Sequence, residues 1–195
     1  MIHTLKTAPA VEPITLAQMR QYLGINDATT TDRDAVITQR IATARQVAES
    51  YTKRALIIQT WRAVGDGFAD VIPLVGPLQS VTSIKYTDGD GVQQTIASTD
   101  YYVLPLRNAV TTSYSHSWPA VRADVEPVII EYVAGYGIAA SAVPLAIYEA
   151  IALIVLTWEK YQTSLDGMVG YPPDLPRAAK SLLDPFIDYR DVIRA

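Results

Sequence analysis

The sequence contains no cysteine and only two histidines, His3 and His116, among its 195 residues. The absence of cysteine excludes disulfide bonds, a thiolate nucleophile and every metal site with a cysteine ligand. Two histidines are too few for a zinc site built on three histidine ligands.

Charge of either sign is also scarce, because Asp, Glu, Lys and Arg make up 18% of the residues and the net charge is −4. A dedicated DNA-binding protein is usually basic, so a general attraction to polyanions is not expected. Hydrophobic residues make up 49% of the chain, which excludes a disordered protein. We expect one compact domain, or one domain with an appendage.

Long hydrophobic runs are missing as well. The longest, Ala150–Leu156, has seven residues, and the wider segment 143–158 contains Pro144 and Glu149. A membrane span needs about 20 mostly apolar residues, so this segment predicts a buried helix and no membrane association. The first residues, Met1–Lys6, carry no apolar core of the length that a signal peptide needs.

The pattern along the chain predicts an α+β fold. Residues 15–54 indicate helices, 56–133 strands and turns, and 143–194 helices again. The order predicts a small helical bundle of about four to five helices, with an antiparallel β domain inserted between helices 2 and 3. We place N-terminal helices in 1–55, the inserted β domain in 56–140, a long core helix in 141–165 and a C-terminal helical arm in 166–195.

Residues that are typical of helix N-termini support the predicted helices. Thr15 and Gln18 fit a capping box, in which each side chain bonds the backbone amide of the other residue. Pro144 fits the first turn of the long helix, where its missing amide is not needed. In the β region, Asp88–Gly91 contains Asp-Gly between two β-rich runs, which predicts a hairpin turn.

Two segments resemble ligand-binding motifs in part. Gly135–Ala140 matches the G-x-G-x-x-A pattern of dinucleotide sites, but Pro144 places the helix start too late for its amides to meet a pyrophosphate. Asp88–Gly91 resembles part of a calcium loop, but Thr99 stands where the bidentate glutamate would be. We interpret both segments as turns and expect no cofactor and no metal.

The sequence shows no arrangement of residues that is typical of a catalytic site. Ser113, Ser115 and Ser117 surround His116, but no nucleophile elbow is present, and neighbours in a strand point to opposite faces. We interpret His116 as a polar loop residue. The twelve tyrosines and three tryptophans are not interleaved with basic residues, so we assign most of them to the core or to protein interfaces rather than to base stacking.

A series of short segments follows one another over residues 10–163. They are Glu12–Leu16, Ile37–Leu56, Gly76–Tyr86, Asp88–Gly91, Asp100-Tyr101, Trp118-Pro119, Glu131–Gly137 and Val143–Tyr161. In this order they resemble the head–tail connector, or neck adaptor, proteins of tailed bacteriophages.

The resemblance implies a structural virion protein rather than an enzyme. It implies a ring of about twelve subunits beneath the portal, which extends the DNA channel and docks the stopper or tail completion proteins. It places the protein in the neck of the virion, assembled in the host cytoplasm, with its own copies, the portal, a stopper or tail completion protein and passing double-stranded DNA as partners.

Three sets of residues are candidates for these contacts. A ring needs different faces that meet head to tail, and we expect Arg33, Arg40 and Arg45 to pair across that interface. A negative lumen would repel phosphates, so we expect Asp88, Asp90 and Asp124 near the channel or its mouth. The C-terminal arm would dock on the portal or a neighbour through Pro176, Arg177, Lys180, Phe186, Tyr189 and Arg190.

Other functions remain open from the sequence. A tail-terminator or stopper protein would also form rings, and direct binding to the portal would distinguish the adaptor from it. From another class, the chain would be a small nucleotide-binding or hydrolytic enzyme. Exposed aromatic residues and Asp-Gly turns would also suit a carbohydrate-binding β module.

Overall fold

The structure is a computed structural model that describes residues 1–26, 31–164 and 174–189. The chain forms two compact units. The β unit comprises residues 1–10 and 57–138, and the helical unit comprises residues 11–56 and 139–195. The α+β class, with antiparallel sheets inserted between the second and third helices, is confirmed.

The β unit contains two antiparallel sheets. The five-stranded sheet has the order β1-β2-β8-β4-β5 and the three-stranded sheet has the order β3-β7-β6. The strands are β1 (Ile2–Thr7), β2 (Gln59–Gly65), β3 (Val71–Pro73), β4 (Leu78–Thr87), β5 (Gln93–Thr95), β6 (Tyr101–Leu104), β7 (Ala109–Thr112) and β8 (Val128–Ala134).

The central strand β8 shows why this sequence forms a sheet. Its residues alternate in burial, and Val128, Ile130, Tyr132 and Ala134 are buried. A period of two places these four side chains on one face, which packs into the core. The β4 partner Ile84 and the β2 partner Ala63 face the same core opposite Ile130.

Strand β1 departs from the prediction for residues 1–55. The segment was expected to belong to the helical body, but Ile2–Thr7 pairs with β2 at the edge of the five-stranded sheet. All its residues except His3 are exposed, so β1 lacks the buried apolar face that makes a strand visible in sequence. Only the long-range pairing with β2 defines it.

One buried residue joins the two sheets of the β unit. Asn108 lies in the left-handed region, with φ at 44°, and follows a 3-10 turn at Pro105–Arg107. Its carbonyl accepts a hydrogen bond from Leu74 N at 2.8 Å, and its Oδ1 accepts one from Leu78 N at 2.8 Å. Asn108 therefore holds the connection between β3 and β4 against the turn between β6 and β7.

The helical unit contains α1 (Leu16–Tyr22), α2 (Asp34–Thr52), α3 (Leu145–Ser164) and α4 (Arg177–Leu183). The capping box is confirmed, since Gln18 N donates to Thr15 Oγ1 at 3.2 Å and Thr15 N donates to Gln18 Oε1 at 2.9 Å. Apolar side chains at helical spacing form the core: Ile37, Ile41, Ala44 and Ala48 on α2, and Ile147, Ile151, Ile154 and Val155 on α3. Among residues 1–26, 31–164 and 174–189, none of the helices combines the length and the apolar character that a membrane span requires.

Candidate interaction surfaces

Three loops of the β unit converge at one end of the five-stranded sheet. The register pairs Val128 with both Gly65 and Tyr86, so β2 and β4 end where β8 begins. Thr87 N donates to Pro127 O at 2.9 Å, and Arg122 N donates to Thr87 O at 3.0 Å. The chain segments after β2, after β4 and before β8 therefore meet there.

These loops carry a group of acidic side chains, which we call the acidic end. It consists of Asp66, Asp88, Asp90, Asp124 and Glu126. The structure thus brings together the three residues expected near a channel. It adds Asp66, whose Oδ1 accepts a hydrogen bond from Glu126 N at 3.3 Å. Only the strand register brings Asp66 and Glu126 to this end, so no local motif in the sequence indicates them.

Asp88 has a structural part within the acidic end. Its carboxylate accepts hydrogen bonds from Gln94 Nε2 at 2.8 Å, Val92 N at 2.9 Å and Asp90 N at 3.1 Å. These hydrogen bonds, that of Gln94 first, hold the pKa of Asp88 below its usual range. Asp88 closes the β4–β5 turn, whereas Asp90 and Asp124 are exposed.

The acidic end is not arranged to hold a metal. Within the part of the chain that the structure describes, no group of three or more His, Asp or Glu side chains could hold a metal ion. Arg122 lies among the carboxylates, with Nε at 3.8 Å from Asp124 Oδ2. The site is a negative surface with one basic residue rather than a coordination sphere.

The three candidate interface arginines lie in the helical unit. Arg33 and Arg40 both donate to the carboxylate of Glu159 on α3, which is buried. Arg45 pairs with Glu12 at 2.8 Å and with Glu49 at 2.6 Å. A buried charge needs such partners, since an unpaired one costs several kcal/mol.

These pairs change the role expected of the arginines. Arg40 and Arg45 are buried and have carboxylate partners within their own unit, so they hold α2 to its surroundings. Half of the Arg33 side chain is exposed. Pairing across an interface between copies stays a prediction, and Arg33 is the arginine best placed for it.

The C-terminal residues that the structure describes pack on their own helical unit. Ala179 and Leu183 of α4 are buried, Tyr51 donates to Asp184 at 2.6 Å, and Arg54 Nε donates to Phe186 O at 2.6 Å. The pair Asp184-Pro185 predicts a last helix from Asp184 to about Ile193. A 3-10 turn covers Asp184–Phe186, Asp188 N donates to Thr52 O at 2.9 Å, and residues 190–193 lie outside the described residues.

The other arm candidates are placed as follows. Pro176 precedes α4 at the N-cap, Arg177 is exposed in its first turn, and Lys180 Nζ lies 4.0 Å from Asp174. Tyr189 is exposed, and Arg190 lies outside the described residues. Docking of this segment on a portal or on a neighbour stays a prediction.

A serine, a histidine and an aspartate meet in the β unit. Ser113 Oγ lies 2.8 Å from His116 Nδ1, and His116 Nε2 lies 3.4 Å from Asp100 Oδ1. His116 is a polar residue of the loop after β7, as predicted, and the fold brings it to Ser113 and Asp100. A tight turn, in which His116 N donates to Ser113 O at 3.0 Å, brings the two residues together across two intervening positions.

The serine, the histidine and the aspartate contact one another in the order found in serine hydrolases, but Ser113 is not exposed as a nucleophile would be. Ser113 is buried, with 7% of its surface exposed, whereas a nucleophilic hydroxyl must reach its substrate. Ser113 N also donates to Asp100 O at 3.0 Å. The polar contacts of this cluster therefore hold the loop after β7 in place.

The glycine-rich segment after β8 is a packed turn. Gly135 has φ at 136°, and a Cβ there would lie 2.5 Å from backbone atoms of Ile57 and Ile58. Gly135 N donates to Pro77 O at 2.9 Å, and Gly137 O accepts from Ile58 N at 3.0 Å. Helix α3 begins only at Leu145, so no helix N-terminus meets these glycines and a pyrophosphate has no cradle here.

Solved structures of other proteins share the fold of this chain. No family model and no curated protein sequence matches the chain. Three chains from solved structures match 97% of this chain and 97% of their own length. They come from the virion of a native gene transfer agent particle (TM-score 0.76, 21% identity), the neck of an empty particle computed with C6 symmetry (0.77, 21%) and the neck of a native particle computed with C12 symmetry (0.75, 22%). This chain shares their fold.

Proposed function

We propose that this chain is a structural subunit of the neck of a tailed phage-like particle. The observation that carries the proposal is the likeness to chains of gene transfer agent particles, two of them from the neck, which extends over both units. The series of segments that resembles the neck adaptor proteins supports the same function independently. The protein would be assembled in the host cytoplasm and reside in the virion neck.

The subunits form a ring around the DNA channel. The two neck structures were computed with six-fold and twelve-fold symmetry, which supports a closed ring of about twelve copies. A ring of identical chains repeats one head-to-tail contact, so each copy offers two different faces. We propose that the acidic end faces the channel or its mouth, where its charge repels the phosphates of passing DNA.

Within the neck we propose the adaptor position, between the portal and the stopper or tail completion proteins. A stopper or tail-terminator ring is the second candidate, because it would also share a neck location and a ring symmetry. The protein would perform no chemical step, and the buried hydroxyl of Ser113 supports this.

Native mass spectrometry of the protein alone, with the portal and with the tail-tube protein tests these assignments. An adaptor should form a ring on the portal, with a stoichiometry that matches the portal symmetry, and should ignore the tail tube. Binding to the tail tube alone would favour the terminator. A chain that joins neither itself nor any virion protein would contradict the proposal as a whole.

A further inference from the structure

A cavity of about 270 Å³ opens in the β unit, and its wall is more polar than apolar. We call it the Trp118 cavity. Side chains from β4, from β5 and from the loops before β6 and after β7 line it, and they include Tyr86, Thr95, Asp100, His116, Ser117 and Trp118. A cavity of about 150 Å³ already holds a benzene molecule, so this one has room for a larger single ring.

Four polar groups on the lining residues make no hydrogen bond within the part of the chain that the structure describes. They are the hydroxyls of Tyr86, Thr95 and Ser117 and the Oδ2 atom of Asp100. The other carboxylate oxygen, Asp100 Oδ1, accepts from Thr99 Oγ1 at 2.8 Å and lies 3.4 Å from His116 Nε2. A concave space with a few polar groups around it is the usual form of a small-molecule site.

One phenylalanine holds two aromatic rings of the wall in place. Phe68 stacks on the indole of Trp118, with ring centroids 4.6 Å apart and planes 8° apart, and it meets the ring of Tyr86 edge-on at 6.1 Å. Because Phe68 covers one face of the indole, a ligand in the cavity meets the other face or the edge. A wall that is already ordered loses little conformational entropy when a ligand binds.

The chemistry of the wall discriminates between classes of ligand. The Asp100 carboxylate would repel an anion, and a purely apolar ligand would leave the three hydroxyls without hydrogen bonds. An ammonium or guanidinium group only donates, whereas each hydroxyl of the wall both donates and accepts. The ligand that matches the wall carries several hydroxyl groups together with an apolar face for the indole.

We propose that the Trp118 cavity binds one hexopyranose ring, either as a free sugar or as a residue of a glycan. The sugar hydroxyls donate to Asp100 Oδ2 and exchange hydrogen bonds with Thr95 and Ser117, and the C–H face of the ring packs on Trp118. A ligand of about twelve non-hydrogen atoms binds weakly, with a Kd on the order of 1 mM. The inference does not depend on the proposed ring, because one copy of the chain supplies the whole site.

Saturation-transfer difference NMR of the full chain tests the site with glucose, mannose, galactose and N-acetylglucosamine as probes. We expect a saturable signal from at least one of the four sugars. The double variant Thr95→Val/Ser117→Ala removes two hydroxyls that have no partner among the described residues, so it should keep the melting temperature of the wild type. The loss of two hydrogen bonds to the sugar should weaken binding about tenfold or more.

The matched control is Ser98→Ala/Ser115→Ala, which removes two exposed hydroxyls that do not line the cavity and should leave the affinity unchanged. The inference is refuted if none of the four sugars gives a saturable signal, or if the two double variants bind with equal affinity. Neither result bears on the neck assignment, which the mass spectrometry of rings tests separately.

A trisaccharide of the bound sugar distinguishes the two sources of the ligand. If the trisaccharide binds at least as tightly as the single sugar and is weakened equally by Thr95→Val/Ser117→Ala, the cavity recognises a residue of a glycan. If the single sugar binds and the trisaccharide does not, the cavity recognises a free sugar. In both cases the same lining residues carry the binding.

Discussion

Asn108 shows how one side chain supports the β unit. Its Oδ1 is the acceptor for Leu78 N, and its left-handed backbone is one that asparagine adopts more readily than alanine. Asn108→Ala should therefore lower the free energy of unfolding by about 1–3 kcal/mol, because a buried amide loses its acceptor. Urea unfolding followed by tryptophan fluorescence measures the loss.

Asn108→Gly and Asn26→Ala are the matched controls. Glycine keeps the left-handed backbone and removes only the side-chain acceptor, so it separates the two contributions. Asn26 is exposed, and its replacement by alanine should change little. If Asn108→Ala were as stable as Asn26→Ala, the hydrogen bond to Leu78 would have no part in holding the sheets together.

Tyr132 makes the stability of the β unit fall at high pH. The side chain is fully buried, its hydroxyl lies 2.9 Å from His3 Nδ1, and it accepts a hydrogen bond from Val75 N at 3.2 Å. Burial raises the pKa of Tyr132 above its ordinary value of about 10, and the Val75 hydrogen bond only partly opposes this. The neutral form is therefore the form that folding favours.

The sign of the pH dependence follows. A raised pKa in the folded state contributes stability that is complete below pH about 10 and is lost as the pH rises beyond it. In a spectrophotometric titration, Tyr132 should ionise only together with unfolding, whereas the exposed Tyr22, whose hydrogen bond to Glu149 raises its pKa to about 12, should ionise while the protein is folded. Tyr132→Phe should remove this late component, and Tyr114→Phe, at an exposed position, should leave it. A late component that survives Tyr132→Phe would assign it to another tyrosine.

At the scale of elements, α2 and α3 are joined by charge as well as by apolar packing. Glu159 is buried and accepts from Arg33 and Arg40, so its charge is compensated from two sides. Arg40→Glu would place two carboxylates together out of water, and the loss of a buried partner costs about 3–5 kcal/mol. We expect a large fall in the melting temperature, measured by circular dichroism.

Arg33→Glu is the matched comparison, since the Arg33 side chain is half exposed. Its effect on stability should be clearly smaller, because solvent screens exposed charges. Equal melting temperatures for the two variants would mean that the buried pair contributes no more than the exposed one. Charge reversal at Arg40 therefore reports on folding, and Arg33 is the position at which a reversal tests an interface between copies.

Elements differ in how far the sequence alone predicts them. Four residues, Thr15–Gln18, encode the start of α1, and the seven-residue apolar run Ala150–Leu156 lies within α3, so both helices could be predicted from the sequence. Strand β1 has no buried face of its own, and only pairing with β2 defines it. The partners of Arg33 and Arg40 lie more than a hundred positions away on α3, a distance at which local patterns carry no information.

At the scale of the whole molecule, the candidate site was predictable in part. Asp88, Asp90 and Asp124 were chosen by charge alone, and the strand register brings them to one end of the sheet together with Asp66 and Glu126. The cluster of Ser113, His116 and Asp100 was not foreseen, because Asp100 precedes β6 and reaches the other two residues only through the pairing of β6 with β7.

The charge of the acidic end leads to a prediction about assembled rings. If this end faces the channel, the double variant Asp90→Lys/Asp124→Lys lines the lumen with cations, and the rings should retain duplex DNA at low salt. Each neutralised phosphate adds about 0.9 to the slope of log affinity against log salt concentration, so retention should weaken steeply as salt is added. Filter binding over a salt series measures this slope.

Asp32→Lys/Asp174→Lys makes the same change of charge at exposed positions of the helical unit and should leave the slope near that of wild type. Equal slopes for the two double variants would place the acidic end away from the DNA.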